Sequence, residues 1–189
     1  MQAQAIIARV QQILLNPQAG WAQIDSEAAS VQKLYVEYIV PLAAISAIAQ
    51  LLGLLLSGLG FLILHTIVDF AFSLGAVYVF ALIIDYLAPQ FGGQKNFHQA
   101  FKLAAYMPTA AWVGGIFEIL PGIGGIVHVI GALYSLYLLF LGLPVLMKPP
   151  SEKATTYTLV AIICAVVVGA VFGAIAARLF MPPVVIVTH

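Results

Sequence analysis

The chain has 189 residues, of which 63% are hydrophobic and only 7% are charged, and its formal net charge at neutral pH is zero. A soluble globular domain is about 45–50% apolar and about 25% charged, so this composition excludes a soluble monomer and predicts an integral membrane protein. Because there is no excess of positive charge to neutralise phosphates, nucleic acid is not expected as a partner. The single cysteine, Cys164, excludes an intramolecular disulfide and a cysteine-based zinc site.

The first segment of the chain, residues 1–35, has an amphipathic pattern. Apolar side chains recur at helical spacing from Ile6 to Leu14, and Pro17 interrupts the pattern. This pattern predicts a cytoplasmic amphipathic helix. It lies either on the inner leaflet, with Trp21 as an interfacial anchor, or against the end of a helix bundle.

The rest of the chain is a predicted membrane domain at residues 36–182, followed by a short outer tail at 183–189. A helix needs about 20 apolar residues to cross the hydrocarbon core of a bilayer. Five segments meet this length, and they are residues 38–57, 61–87, 101–120, 123–147 and 157–180. Their apolar runs are continuous, which favours helices over the alternating strands of a barrel. The predicted fold is therefore an all-α, five-transmembrane-helix bundle with an N-terminal amphipathic helix.

Basic residues lie mainly on one side of the predicted spans. The six on that side are Arg9, Lys33, Lys95, Lys102, Lys148 and Lys153, and Arg178 alone lies on the other. Cytoplasmic loops carry an excess of lysine and arginine. The distribution therefore predicts a multi-pass protein of the cell inner membrane, with its N-terminus in the cytoplasm and its C-terminus outside.

Several segments of the membrane domain carry a resemblance to a known family. They are the turn from Ala88 to Phe97, the run Phe101–Tyr106 followed by Pro108, the run Leu133–Leu139, the triplet Gly142-Leu143-Pro144 and, upstream, Tyr38–Leu42. Together they resemble the bacterial branch of the Yip family, five-span relatives of Ypt/Rab-interacting membrane proteins. The resemblance implies a cytoplasmic N-terminus and five spans but no agreed activity. The chain lacks the acidic N-terminal stretch of eukaryotic members, so a Rab-type GTPase is not expected as a partner.

Two features of the predicted spans concern helix packing. Pro108 interrupts span three and predicts a kink, which acts either as a moving hinge or as a fixed packing feature. In span five, Ala165, Gly169 and Gly173 follow one another at four-residue spacing. Small residues at this spacing let helix backbones approach closely. The ladder therefore packs either inside the bundle or at the seam of a homo-oligomer.

Titratable side chains in the outer halves of the spans are the candidate functional residues. They are His65 and Asp69 on span two, Glu118 on span three and His128 on span four, joined by Gln50 on span one at a depth similar to that of Asp69. Helix lengths place these groups at comparable heights, and the short link between spans three and four brings Glu118 near His128.

Four interpretations of these polar groups remain open. Histidines and carboxylates can carry ions or protons, and they can bind a divalent metal. They can also form a buried network that fixes helix register, or lie at the level of the lipid headgroups. No phosphate-binding loop or nucleophile motif accompanies them. The sequence therefore predicts a non-enzymatic, cofactor-free homo-oligomer that organises the membrane or binds a partner; the alternative is a small ion, metal or proton transporter or channel.

Overall fold

The computed structural model describes residues 2–59 and 63–180, and all regular secondary structure in these ranges is helical. The helices are α1 (Gln2–Leu15), α2 (Pro17–Ser26), α3 (Val31–Leu56), α4 (Ile63–Leu87), α5 (Phe97–Tyr106), α6 (Thr109–Gly115), α7 (Gly124–Met147) and α8 (Ser151–Phe180). Helix α3 contains a π-helical turn at Tyr35–Ile39, and 3-10 turns at Ala88–Phe91 and Ile116–Ile119 follow α4 and α6. The predicted all-helical class is confirmed.

Four of the described helices are long and apolar enough to cross a membrane, namely α3, α4 with its 3-10 extension, α7 and α8. The predicted third span, residues 101–120, is instead divided among α5, α6 and the following 3-10 turn. The division falls at Pro108, which has no N–H to donate to the preceding helical turn. Within the described ranges the structure thus establishes four membrane-length helices, and the fifth crossing stays a prediction.

Two helices begin earlier than their predicted spans. Helix α3 starts before residue 38 because the hydroxyl of Ser30 accepts a hydrogen bond from the backbone N–H of Lys33, at 3.2 Å, and so caps the first turn. Helix α8 starts at Ser151. Residues 61–62, predicted to open span two, and the predicted tail at 183–189 lie outside the described residues.

Helices α3, α6 and α7 approach one another closely at glycine residues, and we call this contact the glycine interface. A Cβ atom built on Gly114 would lie 2.9 Å from the backbone oxygen of Val127. The glycines of this interface that leave no room for a side chain are Gly53, Gly114, Gly115, Gly124 and Gly131. Helices that meet at glycine bring their backbones into contact, which is a main source of packing energy where lipid replaces water.

Helices α1 and α2 fold back onto the bundle as an N-terminal helix pair. The side chains of Ile13 and Trp21 are fully buried, and the Trp21 ring lies directly against Gly142 of α7. The hydroxyl of Tyr134 donates to the backbone oxygen of Leu14 at 2.8 Å. Two placements of α1 were predicted, on the inner leaflet or against the end of the bundle. The contacts of Ile13, Leu14 and Trp21 agree with the second placement. The predicted role of Trp21 as an interfacial anchor is wrong, because its ring lies in the core.

The Asn16-Pro17 step, interpreted from sequence as the end of the N-terminal helix, also begins α2. The side chain of Asn16 accepts a hydrogen bond from the backbone N–H of Ala19, at 3.5 Å, and Pro17 occupies the first helical position. Proline is favoured there because that N–H would be unpaired in any case. The chain therefore turns at this step and continues as a second helix.

Candidate functional site

Four of the predicted residues, all titratable, form two pairs. On α4, Nδ1 of His65 lies 2.8 Å from Oδ2 of Asp69, one helical turn away. Nδ1 of His128 on α7 makes a short contact with Oε1 of Glu118 in the 3-10 turn after α6. The short link between Glu118 and His128 thus places them side by side, as expected from the hairpin. Each pair joins one imidazole to one carboxylate.

These pairs do not combine into a recognisable metal site. Among the described residues, no group of three or more histidine, cysteine, aspartate or glutamate side chains is arranged to hold a metal ion. Gln50 shares a shallow pocket with Glu118 and Ser57 rather than with Asp69. The geometry therefore lends no support to the transporter alternative. The Glu118–His128 contact joins the 3-10 turn to α7 and fixes these two segments in register, whereas His65 and Asp69 lie on one helix.

A mainly apolar cavity of about 330 Å³ lies between α4, the break between α5 and α6, and α8. Asp69 and Pro108 both lie on its wall. The lining residues are Asp69, Phe72, Ser73, Ala76, Val77, Phe80, Ala104, Met107, Pro108, Trp112, Ala165, Val168, Gly169, Phe172 and Gly173. We call this space the lateral cavity. It brings together three features that lie apart in the sequence: the carboxylate of Asp69, the helix break at Pro108 and the small-residue ladder of α8.

The small-residue ladder of α8 lines this cavity. Ala165, Gly169 and Gly173 all belong to the wall, and a Cβ atom added at either glycine would meet no atom within 4 Å. Nearby, the rings of Phe72 and Phe172 are in edge contact, with their centroids 5.6 Å apart, so α4 and α8 do touch. Contacts within this chain therefore do not require the two glycines.

A buried lysine fastens the N-terminal helix pair to the bundle. Lys102 on α5 is only 4% exposed, and its Nζ donates to the backbone oxygens of Ile24 at 2.6 Å, Asp25 at 3.2 Å and Glu27 at 2.7 Å. These oxygens lie at the C-terminal end of α2, where helical carbonyls lack backbone partners and carry partial negative charge. The lysine ammonium therefore caps α2 from a different helix.

Two ion pairs surround this cap. Arg9 of α1 donates to both carboxylate oxygens of Glu27 at 2.6 Å, and its guanidinium lies 5.7 Å from the centroid of the Tyr106 ring. Lys148 lies 3.0 Å from Asp25. Burial alone would raise the pKa of Glu27, but hydrogen bonds from Arg9 and Gln23 and the charge of Arg9 hold that pKa below its usual range.

Sequence reasoning missed the cap and the cavity for a common reason. Lys102 was used only as a topology signal, since its carbonyl partners are more than 70 positions away in the chain. The cavity is likewise built from three distant segments. The one local signal that was available is Asn16-Pro17, a helix-start pattern that predicts α2 and hence a helix end needing a cap.

Residues 12–179 match the family model described as the Yip1 domain. This chain belongs to the Yip1 domain family. The match begins in the last turn of α1 and includes all of α2, so α2 lies inside the Yip1 domain together with the membrane-length helices, whereas most of α1 precedes it. No protein of curated function and no solved structure matches the chain at a significant level.

Proposed function

We propose that this Yip1-family protein is a non-enzymatic component of the cell inner membrane that organises the membrane or binds a partner. It works without a resident cofactor and associates with further copies of itself. It crosses the bilayer five times, with its N-terminus in the cytoplasm and its C-terminus outside. The Glu118–His128 pair serves to hold the 3-10 turn after α6 against α7.

The fifth crossing in this proposal is the broken segment from Phe97 to Ile119. At about 1.5 Å per residue its helical parts are long enough together to reach across the hydrocarbon core. A non-helical break at membrane depth is tolerated when protein covers it. The residues before the break, from Ala100 to Tyr106, are all buried, and the break is flanked by α4 and α7. A reporter fused to the C-terminus is expected to be active only outside the cell, and cytoplasmic activity would contradict the five-crossing topology.

The main support for self-association is the exposed surface of α8. In the most apolar stretch of α8 only 17% of the residues are buried, which is the smallest share among the four membrane-length helices. Exposed apolar surface is ordinary in lipid, but open glycines at four-residue spacing favour a close-packed partner helix. Gly169 and Gly173 provide that spacing and meet no side chain of their own chain.

The test replaces these glycines by a bulky residue and measures the oligomer. Gly169→Leu and Gly173→Leu are expected to shift the purified protein from oligomer to monomer in light scattering, and to abolish cross-linked dimers in native membranes. Gly125→Leu on α7 is the matched control, because Gly125 is also exposed with nothing within 4 Å. An oligomer size that is unchanged in the two α8 variants would contradict the proposal.

A further inference from the structure

The lateral cavity combines an apolar wall with a single ionisable group. Asp69 is the one titratable residue of its lining, and Ser73 is the one other polar side chain apart from the Trp112 indole. At about 330 Å³ the cavity is within the range of about 300–1,000 Å³ typical of small-molecule sites. Sites of this kind orient an apolar ligand through a few polar groups, and here the main polar group is an acid.

Four aromatic rings contribute to the same wall. They belong to Phe72, Phe80, Trp112 and Phe172. Phe80 and Trp112 are 3% and 8% exposed, so protein contacts hold these two rings in place. The face of an aromatic ring attracts a cation, most strongly where water is excluded. The apolar part of the wall therefore favours positive charge as well.

The carboxylate of Asp69 has capacity for a second partner. His65 contacts Oδ2 at 2.8 Å, and a carboxylate has two oxygens with lone pairs for several donors or cations. An acid within a membrane-spanning helix is costly unless a counter-charge or a polar partner compensates for it, and a bound cation would add its charge to the contact that His65 already makes. An anionic ligand would find no cationic side chain among the lining residues.

We propose that the lateral cavity binds a lipophilic organic cation. The carboxylate of Asp69 supplies the counter-charge, and the rings of Phe72, Trp112 and Phe172 surround the apolar body. The ligand class is a hydrophobic molecule with one permanent or protonated positive centre. The inference does not need self-association through α8. Because Gly169 and Gly173 belong both to this wall and to the proposed oligomer contact, binding is tested on monomeric protein.

Two probe ions of equal shape and opposite charge test which sign of ligand charge the cavity prefers. Purified full-length protein in detergent is titrated with radiolabelled tetraphenylphosphonium and, separately, with tetraphenylborate, and bound ion is measured by equilibrium dialysis. The expected result is saturable binding of about one tetraphenylphosphonium per chain and no saturable binding of tetraphenylborate. Equal binding of both ions, or saturable binding of neither, would overturn the proposal.

Asp69→Asn tests the counter-charge, because asparagine keeps the size and removes the charge. We expect it to weaken tetraphenylphosphonium binding by about tenfold or more. Asp85→Asn is the matched control: it makes the same substitution on the same helix, α4, about 24 Å along the helix axis from Asp69 and outside the cavity wall, so the affinity is expected to stay unchanged. Full affinity in Asp69→Asn would exclude Asp69 as the binding group.

A second pair of variants keeps the test decisive if Asp69→Asn fails to fold. Ala76 lies on the cavity wall, whereas Ala71 is exposed on the same helix, α4, and lies outside that wall. Ala76→Phe fills the cavity and is expected to abolish tetraphenylphosphonium binding, while Ala71→Phe preserves it. Undiminished binding in a folded Ala76→Phe protein would place the ion elsewhere.

Discussion

Glycines have opposite surroundings on the two sides of this bundle. In the glycine interface, Gly114 and Gly124 lie against the backbone of a neighbouring segment, and an added Cβ would collide with it. Beside the lateral cavity, Gly169 and Gly173 face open space. The same residue type thus provides a close helix contact on one side and an unfilled surface on the other. The difference separates a close-packed part of the molecule, formed by α3, α6 and α7, from an open part beside α8.

The largest expected effect is a difference between two adjacent glycines of α7, one in close backbone contact and the other exposed. Gly124 is buried against Phe117 and Glu118, whereas Gly125 is exposed with nothing within 4 Å. Because backbone atoms cannot move aside as a side chain can, we expect Gly124→Leu to cost more than about 3 kcal/mol of unfolding free energy. Gly125→Leu is expected to stay within about 0.5 kcal/mol of the parent protein.

Thermal unfolding of both variants in the same detergent measures this difference. A folded, monodisperse Gly124→Leu protein with an unchanged melting temperature would show that the glycine interface is looser than the structure indicates. Gly125→Leu also serves as the control for the α8 variants, so the two experiments share a reference protein.

A somewhat smaller effect is expected at the cap of α2, a helix that packs on α7 of the close-packed part. Lys102→Met keeps the length of the side chain but leaves the three carbonyl oxygens without their ammonium donor. Hydrogen bonds to charged groups contribute about 1.5–3 kcal/mol, and we expect a loss in that range. The N-terminal helix pair is then expected to open more readily. The rate of limited proteolysis after Arg9 measures this opening.

Lys95→Met is the control for this substitution, because Lys95 is exposed on the loop before α5. If Lys102→Met and Lys95→Met are digested at the same rate, the cap does not hold the helix pair. Faster digestion of the Lys102 variant alone supports it.

Local and short-range features of this fold were predictable, and long-range ones were not. The apolar runs predict α3, α4, α7 and α8 because each helix satisfies its own backbone hydrogen bonds and can be recognised from its own residues. Glu118 and His128 meet as predicted because only ten positions separate them. Small-residue spacing in α8 indicated a packing surface, but only the neighbouring helices decide that Gly169 and Gly173 face a cavity while Gly114 lies in a contact.

A smaller effect is expected on the open side. Gly169→Ala adds one methyl group where no atom lies within 4 Å, and alanine is favoured over glycine in a helix by about 1 kcal/mol. We therefore expect a slight rise in melting temperature, measured in detergent at a protein concentration where the chain is monomeric. A fall in melting temperature would show that Gly169 is packed more closely within the chain than the structure indicates.

The smallest expected effect is a pH dependence at the Arg9–Glu27 pair of the N-terminal helices. The pKa of Glu27 is lower in the folded chain than in the unfolded chain. As the pH falls, the unfolded chain therefore takes up a proton at Glu27 before the folded chain does. The contribution of the Arg9–Glu27 pair is therefore complete at neutral pH and is lost as the solution is acidified through the folded pKa. Half-exposed ion pairs contribute no more than about 1 kcal/mol. The difference in melting temperature between the parent protein and Glu27→Gln is expected to shrink between neutral pH and about pH 3. A difference that stays constant across this interval would show that Arg9 does not stabilise the charged form of Glu27.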